Sequence, residues 1–163
     1  MDVGPRSAAL KMRLFESSDN QAISAWFQND ESLRWLESPW SDNELALIAK
    51  EENGRLFVAM NGDVVVGNIG AYLANKAHNF NHLSLIHVAP EYRKMGVASY
   101  MLKWIEQFID SEYEWRTIIE PDNHAARRLM KSADWQFLSS IVDQEGYLTY
   151  KKVPNCQNPA GTL

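Results

Sequence analysis

Apolar residues recur along the chain in two periods, and the switches between them mark out its elements. Over residues 11–16, Met12, Leu14 and Glu16 alternate against Arg13 and Phe15 and predict a first strand. Ile23, Trp26 and Phe27 then share one face of a helix for which Ser18 or Asp19 is the expected N-cap. A short helix is predicted over 31–36, ended by Pro39, and Ser41 with Glu44 forms a capping box for another that carries Leu45, Leu47, Ile48 and Ala49. Residues 55–60 and 64–72 are two strand-like runs around Asn61-Gly62-Asp63, and Asn-Gly accepts the positive φ of a tight hairpin turn. A polar loop over 75–81 leads to an apolar strand at 83–88. A helix over 96–109 should bury Val97, Met101, Leu102, Ile105 and Phe108. A strand over 116–120, a helix over 125–133 and a closing hairpin of 136–142 with 147–152 complete the pattern.

Strands that are mostly antiparallel, with helices crossing between them, predict an α/β (α+β) sandwich: a mixed, mostly antiparallel central sheet flanked by helices. Residues 1–10 and 154–163 lack periodicity and read as flexible arms around one domain at 11–153. A length of 163 residues, 45% of them hydrophobic, suits a single packed core rather than a disordered chain. No apolar run is long enough to span a bilayer and no signal-peptide core is present, so a cytoplasmic protein with no membrane partner is expected. Cys156 is the one cysteine and lies in the polar tail, which excludes a disulfide framework. His78, His82, His87 and His124 include no i, i+4 pair on a predicted helix, so no metal site is predicted.

A net charge of −5 argues against nucleic acid as a partner. All of that charge sits in residues 30–52, where seven acids (Asp30, Glu31, Glu37, Asp42, Glu44, Glu51, Glu52) face two bases (Arg34, Lys50), while the remainder balances at 14 and 14. The chemistry is most legible where the strand at 83–88 ends at Pro90. A loop with Arg93, Gly96 and Ala98 runs straight into the helix there, and the free amides and dipole of a helix N-terminus hold an anion without a cage of lysines. Small residues at Gly96 and Ala98 let a large group reach that backbone.

The run Arg93-Lys94-Met95-Gly96-Val97-Ala98, preceded by Val88 and Pro90, resembles the acetyl-CoA signature of the GNAT superfamily of N-acetyltransferases. Asn123-His124-Ala125-Ala126-Arg127-Arg128-Leu129-Met130, followed by Ala133-Asp134-Trp135, resembles that family's second helical segment and the turn after it. A nucleotide-binding Rossmann-like fold is the alternative, but neither GxGxxG nor GxxxxGK[ST] is present. The resemblance implies two splayed central strands, here 83–88 and 116–120, with acetyl-CoA as cosubstrate wedged between them. It implies coenzyme contacts at His87, Val88, Arg93, Lys94, Met95, Gly96, Val97, Ala98 and Ser99, with Asn123, Ala126 and Met130 from the second segment.

Transfer of an acetyl group to an amine requires that the ammonium lose a proton, that donors meet the oxyanion, and that the thiolate depart. In histone and serotonin N-acetyltransferases a catalytic Glu or His precedes the signature by eleven positions, which here is His82. Strict alternation puts His82, Ser84, Ile86 and Val88 on one face of the strand and Leu83, Leu85 and His87 on the other. Glu120 is the rival base, and Ser84 or Tyr147 is a substitute proton donor, because Met130 stands where the family places a tyrosine. Asp134 replaces the usual glycine of the turn, a change that aspartate tolerates in left-handed backbone. The acceptor implied is a small-molecule or peptide amine, attacking directly in a ternary complex, with a homodimer left open. The segment after the first strand forms one acceptor wall in the family, so the acidic run 30–52, with Trp35 and Trp40, points to a cationic amine. The alternatives are a protein N-terminal acetyltransferase of the ribosomal-protein kind, which Ala25-Trp26-Phe27 and Leu33-Arg34-Trp35-Leu36 resemble, and a non-catalytic acyl-CoA-binding module.

Overall fold

The computed structural model describes residues 10–27, 48–109, 112–142 and 146–154. The helices expected between 31 and 47, the Ser41–Glu44 capping box, Trp35, Trp40, Cys156 and most of both arms lie outside the described residues. One seven-stranded sheet runs in the order β1-β2-β3-β4-β5-β7-β6. It comprises β1 (Leu10–Leu14), β2 (Gly54–Asn61), β3 (Val64–Tyr72), β4 (Asn81–Val88), β5 (Trp115–Ile119), β6 (Gln136–Val142) and β7 (Leu148–Lys152). Every pairing is antiparallel except that of β4 with β5. The Asn-Gly turn joins β2 to β3 with Gly62 at φ 59°, as the hairpin requires. The closing hairpin forms too, but its second strand inserts between β5 and β6.

Helices cover both faces. On one, α2 (Val97–Phe108) and α3 (His124–Ser132) bury Val97, Met101, Leu102, Ile105 and Met130 against Phe57, Ala59, Ile69, Ala71 and Leu83. Each large side chain so enclosed is worth about 1.5–3 kcal/mol. On the other, α1 (Asn20–Trp26) packs Ile23 with Phe27, Ile48, Leu56 and Val58. No helix among the described residues is long and apolar enough to cross a membrane.

Local chemistry fixes two joints. Glu106 on α2 accepts hydrogen bonds from Trp135 Nε1 at 2.7 Å and Lys152 Nζ at 2.9 Å, tying the helix to the turn after α3 and to β7. Asp134 within that turn has φ 62°, the left-handed backbone expected of it. The second joint corrects the capping expectation. Asp19 sits at the N-cap of α1 but makes no side-chain bond into the helix. Its carboxylate instead accepts from both Arg13 Nη atoms at 2.8 Å and from the Glu16 amide at 2.8 Å, linking β1 to the start of α1.

Burial opposes ionisation of Asp19, but the Arg13 hydrogen bonds and the Glu16 amide outweigh it and hold the carboxyl below its ordinary range. A depressed carboxyl contributes stability above the unfolded value of about 4 and loses it as pH falls through the folded value. Asp19→Asn should therefore cost about 1–3 kcal/mol near pH 7, moderated by the partial exposure of Arg13. The gap between the urea midpoints of the two proteins should narrow as pH falls below about 4, and an equal gap at about pH 7 and in acid would show that the ion pair does not carry the difference.

Candidate active site

Strands β4 and β5 meet only at Asn81↔Trp115 and His82↔Arg116. Thr117 Oγ1 donates to the Leu83 carbonyl at 2.9 Å and closes the apex of the fork. Beyond it β4 stays with β3 while β5 follows β7, so a gap opens through the sheet. The Ala89 amide bonds to Val66 O at 2.8 Å, which sets the alternation of the antiparallel ladder. Gly67↔Val88 and Ile69↔Ile86 are then the non-hydrogen-bonded pairs, whose backbone groups point away from each other. The amides of Ile86 and Val88 face the gap. Buried backbone without a strand partner calls for another one.

The register of β4 with β3 shifts between Gly70 and Ala71, leaving Ser84 as the extra residue of a bulge. This overturns the strict alternation of faces. Leu83 packs with Ile86 and Val88 toward α2 and α3, whereas Leu85 packs toward α1. His82, one residue from Leu83, belongs to the α1 side together with Leu85 and His87.

At the far end of β4 the chain makes a turn through Pro90–Tyr92 and folds Arg93 back, its Nε donating to Val88 O at 3.4 Å. Lys94 (φ 61°) and Gly96 (φ 81°) are both left-handed and aim the start of α2 at the gap. The first bond within α2 runs from the Tyr100 amide to Gly96 O at 3.0 Å, so the amides of Val97, Ala98 and Ser99 have no helical acceptor. A Cβ built on Gly96 would meet nothing within 4 Å, so that the space ahead of these amides is open.

A cleft of about 750 Å³ follows the gap, bounded by residues 83–88 and 117–120 and by the α2 and α3 N-terminal turns. It brings together every site residue expected from the sequence except His82 and Met95, which are not among its lining. Met95 is exposed, and His82 stands in register between Tyr72 and Arg116, at the closed end of the fork. Asn123 lines the cleft while capping α3, its Oδ1 accepting from the Ala126 amide at 3.1 Å. Tyr147 also lines it. Thr117 and Phe27 were missed as site residues. A threonine in the otherwise apolar end of β5 was a usable signal, whereas Phe27 looks like any core aromatic.

Phe27 shows that the cleft reaches through the sheet to the α1 side. Its ring meets that of His87 edge-on, with centroids 5.1 Å apart. His87 Nδ1 lies 3.3 Å from Oδ1 of its register partner Asn68, which is fully buried. A carboxamide oxygen only accepts, so in this orientation of Asn68 the contact is a hydrogen bond when the neutral ring carries its proton on Nδ1. Burial, reinforced by the charge of Arg93, pushes the His87 pKa down to about 4. Burial also lowers that of His82 below its ordinary value. Both imidazoles are neutral at neutral pH.

The fold has counterparts. The structure is similar to an acetyltransferase from Thermus thermophilus (TM-score 0.76, 15% identity, covering 91% of this chain and 99% of that one). It is also similar to a spermidine N-acetyltransferase from Vibrio cholerae in complex with CoA and spermine (0.72, 18%, 90% and 96%). A third is the ribosomal-protein-S18-alanine N-acetyltransferase from Escherichia coli (0.70, 15%, 94% and 99%). No curated protein sequence matches significantly. Residues 20–135, well over half of the chain and including both strands of the fork, match the acetyltransferase (GNAT) family. The chain therefore belongs to the GNAT family of acetyltransferases and uses acetyl-CoA.

Proposed function

We propose that this enzyme acetylates a primary amine of a small cationic molecule, by direct attack in a ternary complex. The carrying observation is that the cleft passes through the sheet, from the amide-rich α2 terminus on one side to Phe27 and His87 on the other. Coenzyme and acceptor can thus enter from opposite faces. Bound acetyl-CoA supplies the activated thioester. Amides at the start of α2 suit its pyrophosphate, and those of Ile86 and Val88 suit the pantetheine arm and the carbonyl. Phe27 and Ile48 belong to one apolar cluster on the α1 side. The acidic run 30–52 carries the whole net charge of the chain, and a charge of that sign favours the encounter of a cationic acceptor. The spermine-bound structural neighbour is in keeping with that acceptor class.

For proton removal Glu120 stands within the cleft, and His82 lies behind it on the α1 side, so that His82 would act through water. Met130 is buried and has no proton to give; Ser84 or Tyr147 is left for the thiolate, which can also depart unassisted because its pKa is near 8.5.

Gly96→Val should abolish stabilisation by acetyl-CoA in a thermal-shift assay, because a β-branched residue resists φ 81° and would crowd the open amides. Full stabilisation of a folded variant would overturn the coenzyme site. His82→Ala and Glu120→Gln separate the bases, and loss of the true one should lower kcat about 10²-fold. Because burial depresses the His82 pKa, its neutral form predominates above the usual 6.5, so the midpoint of a rate limb due to His82 should lie below that pH. A limb unchanged in both variants would exclude both residues. Acceptor class is tested with spermidine, kanamycin, a free amino acid and a neutral-tailed peptide at low and high salt. Turnover of the first two should dominate and fall with salt, and preference for the peptide would instead favour N-terminal protein acetylation.

A further inference from the structure

A second cavity, of about 540 Å³, lies on the outer side of α3, away from α2. Its helical wall is His124, Arg127, Arg128 and Lys131. Ala126, Leu129 and Met130 turn the other way, into the core. The opposite wall is sheet: Phe137 on the edge strand β6 and Tyr150 on β7 are register partners with ring centroids 5.4 Å apart. Phe137 is 46% exposed, an unusual amount for a phenylalanine on a strand. None of the described residues lining this groove is acidic.

The charge arrangement works against the helix that carries it. Residues 124–132 contain three permanent cations and no acid, and Arg127 and Lys131 are a like-charged i, i+4 pair. Arg127 and Arg128 also lie toward the N-terminal half, where the dipole already supplies positive charge and acidic side chains are favoured. An anion in the groove relieves both costs. Arg127 is held ready for one: its Nε donates to Tyr150 Oη at 3.2 Å and its Nη1 to Pro121 O at 3.0 Å. A guanidinium carries five N–H donors, so others remain for a ligand.

We propose that this groove is a second ligand site, distinct from the acetyl-CoA cleft, for an anion that carries a flat aromatic ring, of the nucleotide class. The ring lies against Phe137 and Tyr150, and phosphoryl oxygens meet Arg127, Arg128 and Lys131, as guanidinium groups favour. The volume is within the range of small-molecule sites. Arg128 also lines the acetyl-CoA cleft, so the two ligands share one cation and their affinities are weakly and reciprocally coupled.

Calorimetric titration of ADP into protein already saturated with CoA tests this, with inorganic pyrophosphate and adenosine as separate arms. ADP should bind, and each half-ligand should bind at least about tenfold more weakly. Phe137→Ala and Lys131→Glu, both at exposed positions outside the acetyl-CoA cleft, should each weaken ADP about tenfold or more while leaving the KM for acetyl-CoA unchanged. A bounded, few-fold effect of CoA on ADP affinity fits the shared Arg128. An apparent Kd that rises in proportion to CoA would place ADP in the coenzyme cleft and overturn the proposal. So would the absence of binding, or pyrophosphate binding as tightly as ADP with no effect of Phe137→Ala.

Discussion

The fork between β4 and β5 is the constraint on which the rest of the molecule depends. Splitting a parallel pair in mid-sheet strands amides and carbonyls in the interior, where each unmet group costs about 1–3 kcal/mol. The protein limits the damage at the apex with a threonine side chain, Thr117 to Leu83 O, and then leaves the arms apart. Each arm is held from outside, β4 by β3 and β5 by β7. That gives β7 its part in the fork, since β7 is the strand that pairs with β5 along its whole length. It also explains the Glu106 network, which fastens α2 to the turn after α3 and to β7, so that both helices flanking the cleft are fixed to the same arm.

Electrostatics divide the cleft into two ends. At the α2 end positive potential comes from backbone amides and from Arg93, with no buried cation required. At the α1 end the interior holds neutral imidazoles and a carboxamide, since burial disfavours a charged histidine and Arg93 disfavours it further at His87. An amine meeting that end is favoured as the neutral base, the form with a lone pair to attack.

Features governed by local backbone chemistry were legible in the sequence. The Asn61-Gly62 hairpin, the left-handed Asp134 and the loop from Arg93 to Ala98 each require particular residues at particular φ values, and residues announce φ. The sheet's mixed, mostly antiparallel character and the splaying of β4 and β5 followed from the order of elements and from the family resemblance. Tertiary choices were not legible. Nothing in Leu83-Ser84-Leu85 signals a bulge, because all three suit a strand, yet the bulge moves His82 from the face of Ile86 and Val88 to that of His87. Asp19 had the right identity and position for a cap, but Arg13, six residues earlier, offered two hydrogen bonds where the helix offered one.

The bulge at Ser84 also separates β4 into two stretches that can change independently. From Leu85 onward, pairing with β3 fixes which amides look into the gap. Before it, the strand answers to a different register. An insertion or deletion at this point rotates the residues at the closed end by half a pleat and leaves the coenzyme half untouched. A single-residue change in chain length, rather than a set of substitutions, is thus enough to exchange the two faces of the strand at its closed end. The amides of Ile86 and Val88 would meanwhile keep their place in the gap.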